Sequence, residues 1–294
     1  MSYSPYNPPP PPAAQEEQPP RQARLRMSTA RPLVTYTILG LTVLVFLLQQ
    51  MVSSEAVQSL LMPVVNMVLS PEVEAALQAR GLYDQTVVLL NSGALSNLVV
   101  LLGGKVNPLI VIGQFWRFFT PALLHGSLMH IGFNMYALYS FGTFLEPAYG
   151  RVRFLALYLL AAFGGNVLSF LLSSGVSVGA STAIFGLVAA QGVFFYHNRT
   201  LFGAQARSIL INLAVIVVFN LVLGLSPGID NWGHMGGLIA GLAFAWFAGP
   251  LLSVAGAWPD FHLDDQRASV TVWTVALVVA VGLAGLAFFG ISAR

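Results

Sequence analysis

The octapeptide Gly179-Ala180-Ser181-Thr182-Ala183-Ile184-Phe185-Gly186 sets a hydroxyl between small residues, where a Gly/Ser-rich segment enters a long apolar run. Its lead-in, Ser173-Ser174-Gly175-Val176-Ser177-Val178, is neither charged nor strongly apolar. Together these predict a helix that starts below a membrane surface, where protein or a water-filled cavity must satisfy the non-helical backbone. Such a start aims free backbone N–H groups and the positive end of the helix dipole at whatever lies beside Ser181. Far downstream, Asn231-Trp232-Gly233-His234-Met235-Gly236-Gly237 puts a histidine in a matching setting, at the head of another apolar run.

A membrane setting follows from composition. Hydrophobic residues are 56% of the 294 and charged residues only 8%, against about 25% charged in soluble domains. Such a chain cannot cover itself in water, so it is read as polytopic. With no cysteine there is no disulfide, thiolate nucleophile or thiolate metal site. The net charge of +2 points to no nucleic-acid partner. Residues 1–30, with prolines unbroken from Pro8 to Pro12, lack apolar periodicity and read as a disordered proline-rich tail. Arg21, Arg24, Arg26 and Arg31 then precede an apolar run from Leu33 to Met51. That run exceeds the roughly 7 to 15 residues of a signal-peptide core, which favours an uncleaved first span over cleavage near Ser54-Glu55-Ala56.

Six further runs are long enough to span or nearly so: about Ser127 to Leu145, Arg153 to Leu172, Ser181 to His197, Ser208 to Leu225, Trp232 to Ala248 and Ala268 to Ile291. The expected fold is therefore an all-α polytopic membrane protein. A six-helix bundle occupies 31–250, with a large external loop at about 53–123 containing short interfacial helices, and 251–294 forms a linker and a C-terminal seventh transmembrane helix. The N-terminal arginines, Arg151, Arg153, Arg199 and Arg207 mark one side, which the positive-inside bias makes cytoplasmic.

With the N-terminus inside, the even-numbered spans start at the external face. Their heads carry His125, His130 and Asn134, then Ser181, then His234, so these polar groups share one outer leaflet. His197 and His262 fall at the other face. Gly233, Gly237 and Gly241 repeat every four residues on the sixth span, and Gly179, Ala183, Gly186 and Ala190 form a small-residue stripe on the fourth. Such stripes let helix backbones approach closely. They serve packing alone, or they also bring Ser181 to His234; an intramembrane histidine is costly enough to point to function. In the second case His234 is the base that activates the serine. Phe185, one turn below Ser181, then either stacks on the imidazole or is an ordinary lipid-facing or core aromatic. His130 and Asn134, one turn apart on the second span, are either oxyanion donors together with the Ser181 N–H or polar ties between helices.

In order, these residues resemble the rhomboid intramembrane serine proteases over about Trp116 to Gly241. The matching pieces are Trp116-Arg117, His125-x4-His130-x3-Asn134, Gly142-x3-Glu146-x3-Gly150, Gly179-Ala180-Ser181 and Gly233-His234-x-Gly236-Gly237-x3-Gly241. The resemblance implies a rhomboid-like six-helix bundle of the six-plus-one type, without cofactor or metal. It implies Ser181 as nucleophile, His234 as base, and His130, Asn134 and Ser181 as oxyanion donors. His125, Phe185, Gly179, Gly233 and Gly237 support the site, and Trp116, Arg117 and Glu146 are structural. Single-span transmembrane proteins would be the substrates, in a bacterial cytoplasmic membrane, with the C-terminus external. Two departures stand out: Phe185 where many members carry tyrosine, and a long first loop.

Competing readings are a catalytically inactive rhomboid-like protein that binds membrane clients, a transporter, and a zinc-dependent seven-helix hydrolase using His125, His130 and His234. The last lacks the helical His-x-x-x-His spacing typical of zinc ligands. A transporter would more often show an internal repeat.

Overall fold

The computed structural model describes residues 24–26, 30–52, 70–91, 103–257 and 260–294. Most of the expected tail at 1–30 and part of the first loop lie outside them. Seven long helices follow in order: α1 Leu33–Val52, α2 Leu128–Tyr149, α3 Arg151–Leu172, α4 Ser181–His197, α5 Arg199–Leu223, α6 Asn231–Ala248 and α7 Ser269–Ser292. Each matches a predicted span, with α5 beginning well upstream of the expected Ser208. Its polar first turns, Arg199 to Arg207, are helical but break at Gly203, whose φ of 51° and ψ of −128° leave the helical region. Four of the helices, α1, α3, α5 and α7, are long and apolar enough to cross a membrane by length and composition alone. The other three, α2, α4 and α6, are the ones that carry the polar residues singled out above.

The middle of the bundle is α6, laid between α3 and α4. Its two glycine edges explain this. A Cβ at Gly237 would overlap the Thr182 carbonyl oxygen, and one at Gly241 would overlap the Gly186 backbone, so this edge faces α4. A Cβ at Gly236 would run into the Gly164 oxygen and lie 2.7 Å from the Leu168 Cβ, so the other edge faces α3. Lipid tails are as apolar as leucine, so association rests on such close packing. On α4 the expected stripe needs correction. Thr182 and Gly186 meet α6, whereas Gly179 faces His130 of α2 and the Ala190 carbonyl accepts from the Tyr149 hydroxyl at 3.2 Å. The helix turns 100° per residue, so the Gly179/Ala183 line is displaced from the Thr182/Gly186 line that contacts α6.

Glu146, at the end of α2, closes the start of α1. Its buried carboxylate accepts from the Val34 N–H at 2.9 Å and from the N–H and hydroxyl of Thr35, each at 2.7 Å. An acid at a helix N-terminus satisfies open donors and complements the dipole. At the same end of the bundle lies a small sheet that the sequence reading did not anticipate. Strands β1 Arg24–Arg26, β2 Leu252–Ala257 and β3 Asp260–Asp265 pair in the order β1-β3-β2, with β1 parallel and β2 antiparallel to β3. Arg153 holds Asp265 at 2.8 Å. Asn198 donates to the Pro250 carbonyl at 3.1 Å and accepts from the Leu252 N–H at 2.7 Å. Because β1 precedes α1 and pairs with the α6–α7 linker, an even number of crossings separates them.

In the first loop, short helices Pro71–Ala79, Tyr83–Asn91 and Asn107–Val111 lead to 3-10 turns Phe115–Phe118 and Thr120–Leu123. Lys105 and Asn107 cap the far end of α3. Lys105 Nζ lies 3.4 Å from the Ser169 oxygen and 3.1 Å from that of Ser173, and Asn107 Nδ2 donates to the Phe170 and Ser173 carbonyls. Cationic and amide donors suit a helix C-terminus, whose last carbonyls have no intrahelical partner.

Candidate active site

The last residues leading into α4, Ser177, Gly179 and Ala180, are buried and tied to the first loop. Lys105 and Ser177 exchange backbone hydrogen bonds of 2.9 and 3.2 Å. The Gly179 N–H donates to the Pro121 carbonyl at 2.8 Å, and the Ala180 N–H to His125 Nε2 at 3.4 Å. Buried non-helical backbone is thereby satisfied, which allows α4 to start at Ser181 inside the bundle. Gly179 has φ of +129°, and a Cβ there would stand 2.7 Å from His130 Nε2. Only glycine leaves that ring room beside the segment entering Ser181.

Ser181 Oγ and His234 Nε2 are 3.0 Å apart, each side chain half-buried. The Phe185 ring stacks on the His234 imidazole with centroids 4.4 Å apart and planes 12° apart, so the stacking alternative for Phe185 is the one observed. A flat apolar face fixes the ring while leaving Nε2 turned to the serine.

At the head of α2, Ser127 accepts from the His130 N–H at 3.1 Å and caps the helix. The Gly126 N–H lies 3.4 Å from His130 Nδ1. A neutral imidazole that accepts at Nδ1 carries its proton at Nε2, the atom facing Gly179. Asn134 is buried, and its amide donates to the His130 carbonyl at 2.9 Å, which leaves one N–H of that amide uncommitted. His125 is buried edge-on to His130, ring centroids 4.9 Å apart. Burial, with the charge of His130 adding to it, pushes His125 down to about 3, so it is neutral near pH 7. Gln49 of α1 clamps its backbone, donating to the His125 carbonyl at 3.2 Å and accepting its N–H at 3.1 Å.

Gly233 lets α6 enter this site: a Cβ there would stand 2.8 Å from Asp230 Oδ2 and 3.1 Å from Thr182 Cγ2. The remaining residues named from the sequence lie away from the dyad. Arg117 is fully buried under the loop, with Nε 2.8 Å from Gln114 Oε1 and NH1 2.8 Å from the Gly104 oxygen. Burial pushes its guanidinium down to about 10. Trp116 is half-exposed, and Glu146 caps α1 at the opposite end. His197 packs against Trp246, and His262 lies 3.3 Å from Asp264 on β3, both also at that opposite end. Among the described residues no three His, Asp or Glu side chains converge as a metal-ligand group.

Residues that sequence reasoning passed over are Gln49, Lys105, Ser169 and Asp230. Asp230 had a legible signal, since an acid directly before a glycine-rich apolar run is a helix N-cap. Its side chain accepts from the Gly233 N–H at 3.0 Å.

A serine and a histidine are thus in hydrogen-bond contact at the heads of two close-packed helices of an apolar helical bundle, with a second histidine ring beside the segment that enters Ser181. Residues 112–251 match the family described as the Rhomboid domain, and the chain belongs to the rhomboid family, as an integral membrane protein. Among similar proteins, Rhomboid protease GluP of Bacillus subtilis is 39% identical over 204 residues, 69% of this chain and 37% of the relative. RHOMBOID-like protein 9, chloroplastic, of Arabidopsis thaliana is 33% identical over 183 residues, 62% of this chain and 41% of the relative. RHOMBOID-like protein 6, mitochondrial, of the same plant is 35% identical over 152 residues, 51% and 48% of the two chains. The chain spans less than half the length of these curated relatives.

Proposed function

We propose that this protein is an intramembrane serine protease that hydrolyses a peptide bond within or next to the transmembrane helix of a single-span membrane protein. The observation that carries the reading is the 3.0 Å contact of Ser181 Oγ with His234 Nε2 beneath the stacked Phe185 ring. His234 Nε2 takes the Ser181 proton as Oγ attacks the scissile carbonyl carbon. The negative charge moves to the carbonyl oxygen, where the N–H of Ser181, His130 Nε2–H and the Asn134 amide are the donors. The C–N bond then breaks and the amine leaves with the proton from His234. Water, deprotonated by His234, attacks the Ser181 ester and releases the second product.

Family membership supports protease chemistry, and a relative of 39% identity is named as a protease. The arginines before α1, with Arg151, Arg153, Arg199 and Arg207, support a cytoplasmic sheet end. The dyad and the C-terminus then face the outside.

The test is reconstitution of the full chain with a single-span test substrate, alongside labelling by a fluorophosphonate. Wild type should cleave and be labelled at Ser181, and Ser181→Ala should do neither. Cleavage by Ser181→Ala at the wild-type rate would remove the reading.

A further inference from the structure

The far nitrogen of the His234 ring, Nδ1, is buried and meets no hydrogen-bond partner among the described residues. Among the described residues no carboxylate is bonded to the imidazole, so the positive charge that forms during proton transfer must be met from further away. The charged and titratable groups nearest it are His130 and Asp230, with His125, Lys105 and Arg294 behind them. His130 stands on α2 and His125 in the preceding loop; neither supplies negative charge. Asp230 is the N-cap of α6, one turn before His234, and its carbonyl accepts the His234 N–H at 3.2 Å. Behind Asp230, from the first loop, comes Lys105, with Arg294 beyond it donating to the Leu171 carbonyl at 3.2 Å.

Asp230 is held with care. Oδ1 accepts from the Gly233 N–H at 3.0 Å, and Oδ2 accepts from the hydroxyl of Ser169, which is fully buried on α3. Lys105, also fully buried, reaches the Ser169 carbonyl with Nζ. Burial pushes Lys105 down to about 8 while Asp230 works against that, so the ammonium is still charged at neutral pH. Lys105, Asp230 and His234 thus form a sequence of plus, minus and incipient plus that crosses from the loop, past α3, to the first turn of α6.

We infer that Asp230 is a positioning residue for the dyad, whose carboxylate, anchored by Ser169 and balanced by Lys105, stabilises the His234 imidazolium across the first turn of α6. The inference rests on the protease reading above. It assigns the carboxylate role of a three-residue triad to a group that acts through space and through the helix cap, not through contact with Nδ1.

The experiment is the pH dependence of kcat/KM for single-span substrate cleavage by the full chain in liposomes, between about pH 5 and pH 9. Asp230→Asn keeps an acceptor for the Gly233 N–H but removes the charge. Without its negative neighbour His234 is harder to protonate, so the acid limb should move to lower pH by about 0.5 to 1 unit, with kcat down about 10-fold as the base weakens. Lys105→Gln keeps a donor for the α3 carbonyls but removes the opposing charge, and should move the acid limb to higher pH. Opposite shifts from two oppositely charged sites are not expected of a merely structural role. If both variants keep the wild-type acid limb and differ only in thermal stability, Asp230 is a helix cap and no more. Should Asp230→Asn fail to fold, the direction of the Lys105→Gln shift decides the matter. A wild-type chain that neither cleaves nor takes the fluorophosphonate sinks the protease reading and this inference with it, whereas an active wild type with unmoved limbs sinks this inference alone.

Discussion

α6 and α5 are both apolar helices of one bundle, yet one is its centre and the other its fringe. α6 buries Gly233, Gly236, Gly237, Ala240, Gly241, Phe244, Ala245 and Ala248, and turns Trp232, Ile239, Leu242, Trp246 and Phe247 outward. α5 buries only Ala206 and Leu213 and exposes Ile211, Val215, Val218, Phe219 and Val222. In water the larger apolar side chains would go inside. Here, Phe244 apart, the small ones do, because lipid already solvates the large ones and helices gain by bringing backbones together. Placing Ser181 within hydrogen-bond reach of His234 requires the α6 arrangement; a helix packed like α5 would hold its residues too loosely.

The largest effects should come from the chemistry carried by the close-packed pair, not from the packing. Ser181→Ala and His234→Ala should each lower cleavage by about 10⁴-fold or more, and the double mutant about as much as either alone. Unchanged thermal unfolding in detergent would mark the loss as chemical. Next, His130→Ala and Asn134→Ala should each cost about 10² to 10³ in kcat, the usual loss for one oxyanion donor. Full kcat in both would leave α2 a packing role and the oxyanion to backbone N–H groups.

Gly237→Val tests the comparison itself. The valine side chain would meet the Thr182 carbonyl and part the two helices. A displacement of about 1 Å costs roughly 10²-fold in rate, and the unfolding temperature should fall with it. Val215→Ala on the lipid-facing side of α5 should change neither measurement. Equal behaviour of the two variants would mean that glycine spacing does not set the geometry of the dyad.

Smaller and confined to stability is the effect of pH through His125. Held at about 3 by burial against an ordinary 6.5, it stays neutral in the folded chain while the unfolded chain takes up a proton below pH 6.5. The unfolded state then binds more protons, so stability should decline as pH falls from about 6.5 toward 3. His125→Gln should flatten that decline in urea or thermal unfolding curves. An identical pH profile in wild type and variant would assign acid sensitivity to other groups.

The seven long helices were legible because apolar runs are a local property, four of them being long and apolar enough to cross a membrane, and Ser181 and His234 stood out as polar groups heading apolar runs. What escaped reading depends on partners far off in sequence. Lys105 reads as a solvated loop charge, but the open carbonyls of α3 draw it into full burial. Nothing local marks Gln49 as the clamp on His125, 76 residues away. On α4 the expected small-residue stripe was right at Gly186, which meets α6 together with Thr182, but not at Gly179, which belongs to the entering segment and whose space is filled by His130. The three-stranded sheet was hidden for the same reason: β1 is too short to recognise without β3.

That sheet also fixes an order of events during biosynthesis. Ribosomes deliver Arg24–Arg26 long before Asp260–Asp265, and the β2–β3 hairpin can form only after α6 has been synthesised. Until then the first strand has no edge to join. Its docking beside β3 is therefore a late event, a clasp that closes only once six helices have been laid down in the right orientation, and a chain with one helix misinserted would leave the two halves of the clasp on opposite sides of the membrane.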